Sequence, residues 1–157
     1  MTTAQWVLGF HLLGAFLFVS GAVAVGVLHA AATRNERPSE IAFLLGLARV
    51  AVLLVAVGSL LALGFGAWLV DRDAFSVADA WIAASLALWV VSVVLGAVGG
   101  RSARHARRLA ERLAADGDEP SPQLRRALLA PAALGLNYAS FLALVGILAL
   151  MVWRPGA

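Results

Sequence analysis

Few residues of this chain offer chemistry in otherwise apolar surroundings, and His11, Asn137 and Arg49 are chief among them. An ionisable or strongly polar group inside a hydrocarbon layer is costly, so each needs a purpose. His11 offers imidazole, which suits both haem iron and copper. Met151, the only methionine besides Met1, offers a thioether as a weaker second ligand. His29 follows His11 by eighteen positions, about five turns at about 3.6 residues per turn, so the two rings share a helix face. They stand about 27 Å apart by helical rise and cannot hold one ion together. Between them that face carries Gly14, Ala15, Phe18, Ala22, Val25 and Gly26, mostly small residues, so His11 is expected to point at a neighbouring helix.

Two roles for His11 follow. One is an interhelical hydrogen bond, worth about 0.6–2 kcal/mol. The other is axial ligation of haem b, or copper binding, with Met151 as a candidate partner. A bis-histidine haem needs a facing histidine on another apolar segment, and none exists. His29 is expected to meet lipid head groups or a loop acid such as Glu36, and His105 to be solvated. Asn137 interrupts an apolar run and is expected to hydrogen-bond a neighbouring helix, with a substrate contact as the alternative. Arg49 is expected to snorkel toward head groups; the alternative turns it inward toward Glu40 or His29. Trp89 is expected in the core.

The elements that position these residues are four apolar stretches, about 6–31, 50–70, 80–100 and 128–153. A hydrocarbon core of about 30 Å needs about 20 apolar residues in a helix, and each stretch meets that length. Only 13% of the 157 residues are charged, against about 25% in soluble domains. The expected fold is therefore all-α: one integral membrane four-helix bundle with no room for a separate soluble domain. Cysteine is absent, which excludes disulfides and thiolate chemistry. All 12 basic residues are arginine, which excludes Schiff-base and phosphate-loop lysines. Paired carboxylates, a Ser-His-Asp set and a deep membrane acid are likewise missing. Those absences speak against an enzyme and against a proton-coupled transporter.

Charge sets the expected orientation. Arg34 and Arg37 lie between spans 1 and 2, and Arg101, Arg104, Arg107, Arg108, Arg112, Arg125 and Arg126 between spans 3 and 4. The opposite side has Arg72 and Arg154, with Asp71, Asp73 and Asp79. Positive charge marks the cytoplasmic face, so the basic loops are assigned there and both termini outside. Trp6, Trp68, Trp81 and Trp153 fall at the opposite ends of their spans, as an interfacial aromatic belt requires. The pI of about 11 reflects this placement, not nucleic-acid binding. The basic loops favour anionic lipid. The first span lacks a basic start and exceeds a signal-peptide core of about 7–15 residues, so it is expected to be retained.

Detail within the loops is legible too. Ser39 is a candidate cap for span 2, with Glu40 in the first turn. Helix formers carry span 3 onward through 101–115, where Arg107 and Glu111 can pair. The linker 116–122 holds Asp116, Asp118 and Glu119 and is expected to be a flexible hinge. Ser121 and Pro122 open the last helix, and Pro131 is expected to kink it. Glycines crowd the spans (Gly14, Gly21 and Gly26; Gly58, Gly64 and Gly66; Gly135 and Gly146), which favours close helix packing and a face for a second copy or another membrane protein.

The stretch His11-Leu-Leu-Gly-Ala-Phe-Leu-Phe-Val-Ser-Gly21, the run Gly64-Phe-Gly-Ala-Trp-Leu69 and the ending Leu150-Met-Val-Trp-Arg-Pro155 resemble a bacterial family of four-span proteins, domain of unknown function 2269. The resemblance covers nearly the whole chain and implies the architecture above with no assigned activity. More distantly, the first-span histidine is similar to that of copper-resistance D proteins and of the four-span haem-type protoporphyrinogen oxidase, which implies metal or haem handling. The oxidase uses a lysine that this chain lacks, so that activity does not carry over. The leading expectation is an accessory or structural bundle of the bacterial inner membrane. The alternatives are a haem b or copper protein using His11, and a transporter of small molecules or lipid using Asn137.

Overall fold

The computed structural model describes residues 2–72 and 79–155; the acid Asp73 lies outside the described residues. Among the described residues five helices form: α1 (Thr3–Arg34), α2 (Pro38–Arg72), α3 (Ala80–Ala115), α4 (Pro122–Leu128) and α5 (Pro131–Trp153). Among the described residues there is no strand. Backbone groups in hydrocarbon must be satisfied within the segment, and a helix does this alone. Four helical stretches are long and apolar enough to cross a membrane: α1, α2, α3, and α4 with α5. Only 11–28% of the residues in their most apolar windows are buried within the chain. Large apolar side chains such as Phe16, Leu60 and Leu142 point outward at 69–70% exposure. In water such a surface would drive aggregation; against lipid it is the solvated state.

The helices pack as two pairs, α1 on α2 and α3 on α5, which meet along α2 and α3. The bundle's most continuous buried cluster lies at the arginine-rich end. Ala32 of α1, Ile41 and Leu45 of α2, Ala106 and Ala110 of α3, and Leu124 and Leu128 of α4 close on one another there. At the tryptophan end, Arg154 leaves α5 in a left-handed conformation and sets its guanidinium 5.6 Å from the centroid of the buried Trp81 ring.

Three junctions differ from expectation. Ser39 does not cap α2; Pro38 opens that helix and the Arg37 carbonyl accepts the first bond, from Ile41 N–H. The 116–122 linker is not a free hinge. Gly117 (φ 121°) turns the chain after α3, the Asp118 N–H returns to the Leu113 carbonyl, and the Asp118 side chain docks on α2. Pro131 does more than kink the last helix: it separates α4 from α5, with Leu129 and Ala130 between them. The continuation of α3 through 101–115 and the Arg107–Glu111 ion pair both form as read from the sequence.

Candidate functional site

The α1–α2 seam is built from small residues seven apart, two turns on each helix: Gly14 and Gly21 on α1 face Ala51 and Gly58 on α2. A β-carbon on Gly14 would lie 2.5 Å from the Ala62 nitrogen and 2.9 Å from the Gly58 carbonyl oxygen. One on Gly58 would collide with the Phe18 nitrogen and lie 2.7 Å from the Gly14 oxygen. The two backbones therefore touch, as small-residue packing in lipid allows.

His11 continues this face, one turn before Gly14. Its Nδ1 lies 2.8 Å from the Ala62 carbonyl oxygen of α2. A carbonyl can only accept, so Nδ1–H is the donor and the second lone pair of that helical carbonyl is the acceptor. Gly66 makes the approach feasible: a β-carbon there would press within 3.0 Å of the imidazole Cε1 and Nδ1. In the neutral ring this bond leaves Nε2 with the lone pair. Beside it, Trp6, Phe10 and Phe65 stack in series, with centroid distances of 6.1 and 5.0 Å.

Three further polar side chains of the spans, Trp89, Ser92 and Ser140, also join helices. Trp89 of α3 donates Nε1–H to Ser59 Oγ of α2 at 2.8 Å, so this tryptophan, half-buried and outside the buried core, links the two pairs. Ser92 of α3 donates to the Ser140 carbonyl of α5 at 3.1 Å, and Ser140 returns a bond to the Ser92 carbonyl at 2.8 Å. Asn137 sits one turn before Ser140, with its Oδ1 against the α-carbon region of the buried Gly99. It reaches α3, but the expected side-chain hydrogen bond to a neighbouring helix is not made among the described residues. Gly99 is what gives the amide room.

At the arginine-rich end, the break before Pro131 has a chemical consequence. Pro131 has no N–H, so the Ala127 carbonyl four residues earlier loses its helical partner. Ser102 of α3 donates to that carbonyl at 3.4 Å, and His29 Nε2–H of α1 donates to the Leu128 carbonyl at 3.3 Å. His29 thus meets backbone and not Glu36. Asp118 accepts the Ser39 N–H and hydroxyl, both at 2.7 Å, and so caps α2 across the tertiary structure. The Ser39 hydroxyl and then its N–H hold the Asp118 carboxyl below its usual range, against an opposing effect of burial, with a lesser contribution from the Arg37 charge. Arg49 and His105 are exposed, and the ion pair proposed for Arg49 with Glu40 does not form. Met151 lies on α5, which packs on α3, whereas His11 packs on α2.

The family of predicted integral membrane proteins described as domain of unknown function 2269 (DUF2269) matches residues 5–155. The chain belongs to that family. No curated protein and no solved structure matches the DUF2269 chain. The distant likeness to copper-resistance D proteins therefore has no support beyond the first-span histidine itself. Among the described residues of the DUF2269 protein, no three His, Asp or Glu side chains cluster as metal ligands do. Two hollows lie at the arginine-rich end. One, about 370 Å³ and shallow, is lined by Asn35, Ser39, Glu40, Phe43 and Leu44; the other, about 190 Å³, lies between α3 and α4. Neither is lined by Asn137 or by a glycine of the spans.

Proposed function

We propose that this DUF2269 protein is a non-catalytic packing subunit of the bacterial plasma membrane, with its arginine-rich end in the cytoplasm among anionic lipids and its apolar flank available to a second copy or another membrane protein. One observation carries this reading: four polar side chains that reach between spans fasten one helix to the next. His11 ends on Ala62, Trp89 on Ser59, and Ser92 and Ser140 on each other's helix. Such groups, buried between helices, specify a packing and leave little to act on a substrate.

A second reading has its own observation. The Nδ1–carbonyl bond of His11 is the orienting contact that metal-bound imidazoles usually make, and it leaves Nε2 as the ligating atom. The residues present fit a one-ligand site for copper or haem b, held by His11 beside Phe10 and Phe65. With Met151 on α5, a second axial ligand is not at hand.

One experiment separates the two. Protein purified from cells supplied with copper and a haem precursor is expected to be colourless and metal-free. His11→Asn, whose amide nitrogen stands where Nδ1 does and can donate to Ala62, is expected to retain stability that His11→Ala loses. A Soret band or stoichiometric copper that vanishes in both variants would overturn the packing reading and install the second.

A further inference from the structure

The 190 Å³ hollow between α3 and α4 has a makeup unlike the rest of the surface. Its walls are His105, Arg108, Arg112, Leu109 and Gln123. Positions 105, 108 and 112 are spaced three and four apart, so they lie on one face of α3. The opposite wall comes from α4 through Gln123. Both walls are anchored: Ala106 and Ala110 of α3 are wholly buried, and Leu124 of α4 is 1% exposed. The guanidiniums of Arg108 and Arg112 therefore project from a rigid base and not from a floppy loop.

Their charge is uncompensated. Among the described residues the ion pair is Arg107 with Glu111, and no carboxylate reaches Arg108 or Arg112. The two guanidinium charges gathered in one hollow repel, and an anion from outside relieves that repulsion. Guanidinium forks match the oxygens of phosphate two at a time, and the Gln123 amide adds a neutral donor.

Height selects the source of the phosphate. His105 to Arg112 lie five to twelve residues beyond Gly100, where the apolar stretch ends. At about 1.5 Å per residue that is about 7–18 Å past the hydrocarbon edge. The head-group layer is about 5–8 Å thick on each side. Most of the hollow stands clear of the lipid phosphates.

We infer that the α3–α4 groove is a binding site for the phosphate groups of a soluble anion, with Arg108 and Arg112 as the phosphate clamps and His105 and Gln123 as flanking donors. The probe is inorganic pyrophosphate, titrated by calorimetry against the full chain in phosphatidylcholine nanodiscs. Saturable one-site binding is expected. Arg108→Gln and Arg112→Gln each weaken it more than about tenfold, the loss of one charge-assisted bond. Arg104→Gln, the same change of charge on the same helix but outside the groove, shifts it less than about twofold. Both groove arginines are exposed, so folding is retained, and far-UV circular dichroism melts verify that. Discs containing one-third phosphatidylglycerol leave the affinity nearly unchanged. Absence of saturable binding, or an equal loss in Arg104→Gln, overturns the site. Displacement of pyrophosphate by the anionic discs overturns the soluble source and assigns the groove to lipid head groups.

Discussion

Replacing Gly14 with alanine sets a gain in helix propensity against a collision of backbones, and the distances decide between them. Alanine in a helix interior is favoured over glycine by about 0.8–1 kcal/mol. Against that, the new β-carbon sits 2.5 Å from the Ala62 nitrogen, and ordinary contact begins near 3.4 Å. The obstacles are the Ala62 nitrogen and the Gly58 oxygen, backbone atoms that cannot swing aside, so α1 and α2 must part by about 0.9 Å. His11 is one turn away, and its 2.8 Å bond to Ala62 would stretch past 3.5 Å and fail. Overpacking costs about 1–3 kcal/mol and the lost bond about 0.6–1.7 kcal/mol. After the propensity gain, the net loss is about 0.6–4 kcal/mol. Gly64→Ala is the internal control, because nothing lies within 4 Å of its added carbon and only the propensity gain remains. Unfolding of both variants in dodecylmaltoside by graded sodium dodecyl sulfate, followed by circular dichroism, gives the comparison. Gly14→Ala should unfold earlier than wild type and Gly64→Ala no earlier. Equal midpoints for the two variants would refute backbone contact along this seam.

Further outcomes follow from the other fasteners. Ser92→Ala and Ser140→Ala should each lower stability by about 0.6–1.7 kcal/mol, because each hydroxyl bonds the other residue's backbone carbonyl, and wild-type stability in both variants would remove the reciprocal bonds. The Asp118 carboxyl titrates lower folded than unfolded, so its contribution is complete above the unfolded value and is lost as pH falls through the folded one. Acid melts of Asp118→Asn should therefore lack part of the wild-type decline in that low-pH window, and an unaltered decline would sink the tertiary cap. Pro131→Ala restores an N–H for the Ala127 carbonyl, so α4 and α5 should fuse. Amide exchange at residues 129–132 should slow markedly, and unchanged exchange would mean that something other than the proline holds the break.

Hydropathy and arginine placement made the spans legible, because lipid imposes a length and an apolarity that few other environments demand. The extension of α3 to Ala115 was legible from its helix formers. That His11 turns toward a helix was legible from the small residues sharing its face. Its partner was not, because the acceptor is the backbone carbonyl of Ala62 and every residue has one. The Leu128 carbonyl escaped notice behind His29 for the same reason, although a proline four residues after Ala127 does signal a freed carbonyl there. Glycine content overstated close packing: Gly26, Gly64 and Gly135 face open space. Meanwhile Gly96 and Gly99, which make room for Ser140 and Asn137, carried no pattern that set them apart. The cap from Asp118 to Ser39 depends on two loops meeting, which local spacing does not reveal.

The absence of cysteine permits one decisive measurement, single spin labels at Phe16, Leu60 and Leu142 in protein reconstituted into bilayers. Power-saturation spectra of all three should show strong relaxation by oxygen and almost none by a water-soluble nickel chelate, while a label at Gln123 shows the reverse. Nickel access at Phe16, Leu60 or Leu142 comparable to that at Gln123 would mean that water bathes these helices, which contradicts a lipid-embedded bundle fastened by its inward polar groups.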